Sequence, residues 1–440
     1  MNAAQHSRSL NALWMPFTAN RRYKNDPVMF EEAHGMHYVL AGGRRVLDAT
    51  AGLWCVNAGH GRDRITDAIT KQARRLQYVS NFQVGHPLAF EFAERLADIA
   101  PGDLDHVFFT NSGSESVDTA LKMALAYHRA MGQGGRTRLI GRERGYHGVG
   151  FGGISVGGIG PHKRPFGNLL ASVDHLPHTY NFAEQAFSRG EPAWGAHLAE
   201  DLIRIIQLHD ASTIAAVIVE PIAGSTGVIA PPVGYLKRLR EICDEYGILL
   251  IFDEVITAFG RVGHAFAAQR FGIQPDIVTL AKGLTNGAVP MGAVIASRKV
   301  YDAMAQGPVN NIEFPHGYTY SGHPLACAAG LAALDIYQEE GLFERCASIE
   351  SLWADRIHAL EGIPVIRDIR TIGLLAAIEL VPRPDAPGMR AYDCMRRALA
   401  MGLVIRSSGD QLILSPPLII EKEQIAEICA TLSEILTNLE

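Results

Sequence analysis

Three features typical of membrane, secreted or nucleic-acid-binding proteins are missing from this sequence of 440 residues. No apolar run approaches the roughly 20 residues that a membrane-spanning helix needs. The segment MNAAQHSRSLNALW (1–14) lacks the apolar core of a signal peptide. Lys and Arg do not cluster as they do in nucleic-acid-binding domains, and the formal net charge is −6. We therefore expect a cytoplasmic protein with neither a nucleic-acid nor a membrane partner.

Cysteine is also scarce. The chain has 6 cysteines, and none of them forms a C-x-x-C pair. Their scatter is typical of reduced thiols in a large cytosolic protein. His175 and His178 lie close together in DHLPH (174–178), but no cysteine or carboxylate cluster accompanies them. The sequence therefore predicts no metal site.

From about residue 56 to residue 330, short apolar runs alternate with amphipathic helical stretches. Continuous runs rich in Ile and Val are typical of strands buried on both faces of a mostly parallel sheet. Their alternation with helices predicts an α/β fold. The runs are HVFFT (106–110), RLIG (138–141), IAAVIVE (214–220), ILLIFDE (248–254), DIVTLAK (276–282) and GAVIAS (292–297).

The two ends of the chain differ from this middle part. Residues 1–55 mix short polar and apolar pieces, which predicts an irregular N-terminal arm that forms part of a small domain. Residues 56–330 are predicted to form the large domain. Residues 331–440 are predicted to form a smaller C-terminal α+β domain. Strands are predicted at 365–369, 374–381, 403–407 and 411–416, and helices near 323–340, 343–361, 390–401 and 421–438.

The residues after HVFFT can form an anion site. Ser112 and Glu115 have the spacing of a capping box, which predicts that a helix begins here. The backbone N–H groups of Gly113 and Ser114 would then face outward with the positive end of the helix dipole, an arrangement suited to a phosphate. A simple helix cap explains the same residues.

Two further strand ends carry reactive side chains. Asp253 follows ILLIF, where a carboxylate can face a site or terminate a turn. Lys282 follows DIVTLA, where desolvation would make its amine nucleophilic, although a lysine can also extend its amine to solvent. A phosphate cradle, a carboxylate and a nucleophilic lysine at the ends of separate strands are together what pyridoxal 5'-phosphate needs.

Ordered blocks over nearly the whole chain carry a family resemblance. The chain resembles the class III aminotransferases of the fold-type I pyridoxal-phosphate enzymes. Within that family it is most similar to the group that moves an amino group from omega-amino acids, such as beta-alanine, to pyruvate. The blocks are LWMPFTANR (13–21), AGLWCVNAGH (51–60), VFFTNSGSESVDTALK (107–122), GRERGYHG (141–148), AAVIVEPIAG (215–224), LLIFDEVITAFGR (249–261), TLAKGLTNG (279–287), HGYTYSGHPLACAAG (316–330) and LVIRSSGDQLILSPPL (403–418).

The resemblance implies a role for each matching position. Lys282 would be the Schiff-base lysine and the base that moves the proton, and Asp253 would pair with the pyridine nitrogen. The phosphate would be bound by Gly113 and Ser114. The other implied cofactor contacts are Tyr146 stacked on the ring, Val255 on its other face, and Glu220 as a nearby carboxylate.

The resemblance also implies a substrate pocket and an assembly. Arg406 would bind the substrate carboxylate, because its planar fork suits bidentate pairing. Trp54 and Phe17 would line the pocket. Thr319 would reach the phosphate of a neighbouring subunit, which requires a homodimer or homotetramer with shared sites.

Other functions agree with some of the same residues and motifs. Another enzyme with the same cofactor, such as an aminomutase, or a class III aminotransferase acting on taurine, 4-aminobutyrate or a diamine, would show the same central residues. Gly148, Gly150 and Gly153 match the dinucleotide-binding pattern, but no strand directly precedes them and no helix is predicted after them. Residues 153–157 match the hydrolase pattern G-x-S-x-G and lack the same helix.

Overall fold

The computed structural model describes residues 10–440; residues 1–9, the beginning of the predicted arm, lie outside it. Within the described part, no helix is long and apolar enough to cross a membrane. The strands in chain order are β1 (Phe30–His34), β2 (His37–Leu40), β3 (Arg45–Asp48), β4 (Leu104–Thr110), β5 (Arg138–Arg142), β6 (Val173–Leu176), β7 (Ile214–Val219), β8 (Leu249–Asp253), β9 (Ile277–Leu280), β10 (Gly292–Ser297), β11 (Ile366–Ile372), β12 (Leu375–Leu380), β13 (Leu403–Val404), β14 (Arg406–Ser408) and β15 (Gln411–Leu414).

The α-helices surround these strands. In chain order they are α1 (Asn20–Asn25), α2 (Ala51–Trp54), α3 (Asp63–Arg75), α4 (Pro87–Ile99), α5 (Gly113–Ala130), α6 (Phe151–Val156), α7 (Gly160–Lys163), α8 (Phe182–Gln185), α9 (Asp201–His209), α10 (Tyr235–Tyr246), α11 (Ala267–Phe271), α12 (Arg298–Met304), α13 (Pro324–Glu339), α14 (Leu342–His358), α15 (Met389–Ala400) and α16 (Lys422–Thr437).

The central sheet has seven strands in the order β4-β10-β9-β8-β7-β5-β6. Strand β10 runs antiparallel to both of its neighbours, and the other pairs are parallel. Strands β7 and β8 are buried at every residue, as continuous Ile- and Val-rich runs predict. The predicted α/β fold with a mostly parallel sheet is confirmed.

Within the predicted N-terminal arm, the expectation of irregular structure is wrong for residues 30–48. Strands β1, β2 and β3 form an antiparallel meander, and β3 pairs in parallel with β13 near the other end of the chain. The sequence hides β1 because its five residues, FEEAH, are mostly exposed and show no apolar alternation. Tertiary pairing with distant residues decides the structure here.

The C-terminal part forms a separate antiparallel sheet in the order β11-β12-β15-β14. Helix α14 packs on this sheet through Trp353, whose indole N–H donates to the carbonyl of Leu375. Only Ile405 separates β13 from β14, which begins at Arg406. The parallel pairing of β3 with β13 therefore brings the residues after β3 close to Arg406.

Candidate active site

The carboxyl ends of the central strands open into a cleft. Ligands of open α/β sheets bind at this edge of the sheet. The lining comes from five short segments, one after each of β4, β5, β7, β8 and β9. The lining residues are Gly113, Ser114, Tyr146, His147, Gly148, Glu220, Asp253, Val255, Ile256, Ala281 and Lys282.

Helix α5 presents its N-terminus to the cleft. The N–H of Glu115 donates to Oγ of Ser112 at 3.2 Å, so the helix begins where the capping-box spacing predicts. The reciprocal bond comes from Asn111, whose N–H donates to Oε2 of Glu115 at 2.7 Å. The first N–H groups of a helix have no partner within it. Those of Gly113 and Ser114 are therefore available to an anion in the cleft.

Close packing at this helix start explains its glycine. A Cβ added to Gly113 would lie 3.0 Å from both methyl groups of Val255. Across the cleft, a Cβ on Gly148 would lie 2.5 Å from Oγ of Ser114, and the N–H of Val149 donates to that oxygen at 3.1 Å. The backbone thus approaches the anion site closely from two sides.

Asp253 is a buried carboxylate at the end of β8 with three protein donors. Its Oδ2 lies 2.8 Å from Nδ1 of His147. Its Oδ1 accepts from Oγ1 of Thr279 at 3.0 Å and from the N–H of Val255 at 3.2 Å. A carboxylate has about four lone-pair sites, so one remains for a group in the cleft.

The neighbouring Glu254 has a different role. Its carboxylate turns away from the cleft and accepts from the backbone N–H groups of Ala267 and Ala268 at the start of α11. Complete burial raises the pKa of Glu254 to about 7. Of the two adjacent carboxylates, only Asp253 lines the cleft.

Lys282 follows β9 and enters the cleft in a strained backbone conformation. Its φ is 51°, in the left-handed region that costs a residue with a side chain about 1–3 kcal/mol. The surrounding protein lowers the pKa of Lys282, because desolvation disfavours the charged ammonium. A larger fraction of neutral amine makes this lysine a better nucleophile and base.

Trp54 connects Lys282 with Arg406. The indole is buried, and its ring centroid lies 5.0 Å from Nζ of Lys282 and 4.7 Å from Cζ of Arg406. The guanidinium of Arg406 therefore lies within the range of a cation–π interaction with the indole, and Nζ of Lys282 lies near the same ring. Arg406 comes from the C-terminal sheet, so the part of the chain after residue 400 contributes to this site.

Tyr146 and Glu220 are joined on the β5 and β7 side of the cleft. The backbone N–H of Tyr146 donates to Oε1 of Glu220 at 2.8 Å, and the N–H of Gly224 donates to Oε2 at 3.2 Å. Burial raises the pKa of Glu220. Glu220 thus fixes the backbone that carries the Tyr146 ring.

Four predicted site residues do not line the cleft. Trp54 and Arg406 lie beside it next to Lys282, and the other two are Thr319 and Phe17. Thr319 is exposed, and its carbonyl accepts from the hydroxyl of Tyr78 at 2.9 Å. Phe17 is 73% exposed, and its nearest aromatic partner is His162 at 5.2 Å between ring centroids. His162 in turn lies 5.9 Å from the ring of Tyr146, so Phe17 stands at one remove from the site.

The structure also shows residues that the sequence reasoning did not single out. His147 and Thr279 hold Asp253, yet only the strand end at Asp253 was recognised. A usable signal existed for His147, since it directly follows Tyr146 in the GYHG block and a buried carboxylate requires hydrogen-bond donors.

The segments that match the dinucleotide-binding and hydrolase patterns have structural roles. A short helix, α6, does occupy Phe151–Val156, which the sequence reasoning did not expect. A Cβ on Gly153 would lie 2.1 Å from the carbonyl oxygen of His147, so this segment needs glycine for packing. Ser155 is buried and donates its hydroxyl to the carbonyl of Phe151 at 2.5 Å, which leaves it no role as a nucleophile.

The residues of the cleft suit pyridoxal 5'-phosphate. The N-terminus of α5 suits its phosphate, and the remaining lone pair of Asp253 suits a protonated ring nitrogen. The amine of Lys282, whose pKa burial lowers, suits its aldehyde. These three groups line one cleft, as the sequence reasoning predicted from separate strand ends.

Comparison with known sequences gives a consistent result. Residues 18–436 match the profile of the family described as Aminotransferase class-III. An omega-aminotransferase of Caulobacter vibrioides is 60% identical over 434 residues, which cover 99% of both chains. A beta-alanine–pyruvate aminotransferase of Pseudomonas aeruginosa is 49% identical and covers 98% of this chain and 96% of its own.

A solved structure is similar over the same length. An amine transaminase from an uncultivated Pseudomonas species, in its PLP-bound form, superposes with a TM-score of 0.92 at 36% sequence identity. The match covers 98% of this chain and 100% of the other. The likeness therefore includes the small sheets at both ends of the chain as well as the central sheet.

Proposed function

The chain belongs to the class III aminotransferases, which depend on pyridoxal phosphate, and from this membership we propose its substrates and the roles of its residues. The enzyme takes the amino group of an omega-amino acid such as beta-alanine, or of a primary amine, and transfers it to pyruvate. The products are L-alanine and an aldehyde or keto compound. A relative named for beta-alanine and pyruvate, at 49% identity, and one named for omega-amino acid and pyruvate, at 47%, support this choice of substrates.

The proposed chemistry divides among the residues of the cleft. When bound, pyridoxal phosphate supplies an aldehyde carbon for the amino group and a ring that accepts electrons. Gly113 and Ser114 hold the phosphate, and Asp253, oriented by His147, keeps the ring nitrogen protonated. Nζ of Lys282 would take a proton from the amino-bearing carbon of the substrate and deliver it to the carbon that carried the aldehyde of the cofactor.

Tyr146 and Val255 complete the proposed cofactor site. Tyr146 lies on one side of the cleft with its backbone held by Glu220, and Val255 lines the cleft beside Gly113. We propose that the pyridine ring is held between these two side chains. Stacking and apolar contact would keep the pyridine ring in a plane in which its nitrogen can pair with Asp253.

One observation carries the choice of a carboxylate-bearing substrate. Nζ of Lys282 and the guanidinium of Arg406 each lie within 5.0 Å of the Trp54 ring. A short molecule with an amino or keto carbon near Lys282 can therefore place a carboxylate at Arg406. Beta-alanine and pyruvate both carry a carboxylate within two carbon–carbon bonds of the amino or keto carbon, and Trp54 would line the space between.

Acceptor dependence tests the proposed reaction. Purified enzyme with beta-alanine and pyruvate is expected to form one L-alanine for each beta-alanine consumed, and to stop when pyruvate is omitted. The reason is that the cofactor keeps the amino group until a keto acid removes it. Chromatography of the amino acids measures both. Continued consumption of beta-alanine without any keto acid would contradict transamination and indicate another reaction on the same cofactor.

We also propose that the enzyme is a homodimer or a homotetramer with shared sites. Thr319 is exposed on a loop whose backbone carbonyls form hydrogen bonds with side chains from an earlier part of the chain. The amide of Asn81 donates to the carbonyl of Ser321 at 2.9 Å, and His86 lies 2.7 Å from the carbonyl of Gly322. Large apolar side chains are exposed around this loop, and they are Tyr78, Phe82, Val84 and Tyr320. A second copy would cover them and receive Thr319 at its phosphate site.

Light scattering and one substitution test the assembly. The expected mass is at least twice the 47.8 kDa of one chain. Thr319→Ala is expected to weaken retention of pyridoxal phosphate about tenfold, because a hydrogen bond to a charged phosphate is lost. Thr66→Ala, at an exposed threonine on α3, is the matched control and should retain the cofactor normally. A fully active monomer would contradict the shared site.

The strand pairings support the proposed division of the chain. The central sheet lies within residues 56–330, and β3 pairs with β13 of the C-terminal part. We therefore propose residues 56–330 as the large domain, with residues 331–440 and the N-terminal segment 1–55 around the small one. A cytoplasmic location is proposed on the 6 free cysteines, which persist in a reducing compartment.

A further inference from the structure

The segment that carries Trp54 has an unfavourable backbone. Ala51, Gly52 and Trp54 have φ values of 46°, 70° and 59°, all in the left-handed region. Glycine adopts this region freely, but Ala51 and Trp54 carry a Cβ that crowds the backbone there. Such a conformation persists only where the surrounding structure holds it in place.

Asp48 supplies that support. Its Oδ1 accepts from both the N–H and the hydroxyl of Thr50, each at 2.7 Å. Its Oδ2 accepts from the N–H of Gly52 at 2.8 Å and lies 2.8 Å from Nε2 of His60. Asp48 is completely buried, and these four contacts use its lone-pair sites. Two of them fix backbone N–H groups, one just before the strained residues at Thr50 and one within them at Gly52.

The Trp54 ring depends on this segment for its position. Within the part of the chain that the structure describes, the buried Nε1 of Trp54 has no hydrogen-bond partner. The ring is therefore placed by its backbone and by packing against apolar neighbours such as Ile413. Asp48 also pairs with Val404 across β3 and β13, two residues before Arg406. One buried carboxylate thus adjoins both the loop of Trp54 and the strand that leads to Arg406.

We propose that Asp48 is a positioning residue that holds Trp54 against Arg406 and thereby sets the preference for amines that carry a carboxylate. This inference rests on the proposed function, in which Arg406 binds the substrate carboxylate. With Trp54 in place, the guanidinium has an aromatic partner and fewer orientations. When the loop is released, Arg406 loses that partner, and carboxylate-bearing substrates lose more than neutral ones.

The test compares Asp48→Asn with a matched control. An asparagine must turn its NH₂ group toward one of the two pairs of donors, so at least one loop contact is lost. Val46→Ala is the control, because Val46 is buried on the same strand and its truncation lowers stability without removing a loop anchor. Trp54→Ala and the double variant with Asp48→Asn complete a cycle that isolates the effect transmitted through Trp54.

Two readouts are expected to change in Asp48→Asn and not in Val46→Ala. Hydrogen exchange of the Thr50 and Gly52 amides should be at least about tenfold faster than in the wild type. The ratio of kcat/KM for beta-alanine to kcat/KM for butylamine, with pyruvate as acceptor, should fall about threefold to tenfold. In the Trp54→Ala background, adding Asp48→Asn should leave that ratio unchanged.

Equal ratios in Asp48→Asn and Val46→Ala would overturn the proposal, as would the same fall in the ratio with and without Trp54. Failure of the proposed function gives a different result. If the wild type moves no amino group to any keto acid, the substrates proposed above are wrong. The exchange comparison still decides the positioning role, because equal exchange in the two variants would show that Asp48 does not hold the loop.

Discussion

Replacing Lys282 with alanine is expected to reduce turnover by a factor of at least about 10⁴, the largest effect of any single substitution in the chain. Nζ of Lys282 is placed to join the cofactor and to move the proton, and its lowered pKa keeps a neutral amine available. Steady-state rates with beta-alanine and pyruvate measure the loss. The visible absorption of the cofactor should shift at the same time, because no lysine is left to bind it covalently.

Two further variants sharpen this prediction. Lys282→Arg keeps a positive charge but offers no neutral amine near pH 7, so it should be as inactive as the alanine variant. Lys237→Ala removes an exposed lysine of α10 and should keep the wild-type rate. Transamination by Lys282→Ala at the normal rate would remove this residue from its role and with it the assignment of the cleft.

Replacing Arg406 with alanine is expected to lower kcat/KM for beta-alanine and for pyruvate by about a hundredfold. Hydrogen bonds from a guanidinium to a carboxylate contribute about 1.5–3 kcal/mol each, and about 1.4 kcal/mol corresponds to a factor of ten. A carboxylate-free amine such as butylamine should lose less than about threefold in its own half-reaction. Single-turnover measurements with each substrate separate the two half-reactions.

Two variants, Arg406→Lys and Arg144→Ala, provide the controls for Arg406→Ala. Arg406→Lys keeps the charge but loses the bidentate fork, so its activity toward beta-alanine should be intermediate. Arg144 lies two residues before Tyr146, but its guanidinium lies 5.6 Å from the ring of Tyr180. Arg144→Ala should therefore leave the ratio of kcat/KM for beta-alanine to kcat/KM for butylamine unchanged. Equal losses for beta-alanine and butylamine in Arg406→Ala would show that this arginine does not select carboxylates.

The parts of the fold that the sequence reasoning predicted correctly are those with strong local patterns. Strand β10 has the predicted bounds, and α13, α14 and α16 lie within two or three residues of the predicted ones. Continuous apolar runs and helical periodicity reflect burial directly, so they can be recognised without knowledge of tertiary contacts. Strand β1 has no such pattern, because pairing with β2 rather than burial stabilises it.

The same division holds for the site. Lys282, Asp253 and Gly113 could be recognised because each follows a strand, and parallel strands bring their carboxyl ends to one edge. The hydrogen bonds that hold the site residues in place could not be predicted in this way. Thr279 holds Asp253 from an adjacent strand, and Asp48 holds the Trp54 loop through contacts that include His60. Such contacts depend on side-chain directions in three dimensions, which a single sequence does not contain.

A spectral titration tests the central claim most directly. The visible spectrum of the purified enzyme is recorded with pyridoxal phosphate, then after beta-alanine is added, and again after pyruvate is added. We predict a visible band that beta-alanine bleaches and pyruvate restores, because Lys282 gives up the cofactor in the first half-reaction and regains it in the second. A band that ignores beta-alanine and every other amine, or no band at all with added cofactor, would contradict the account.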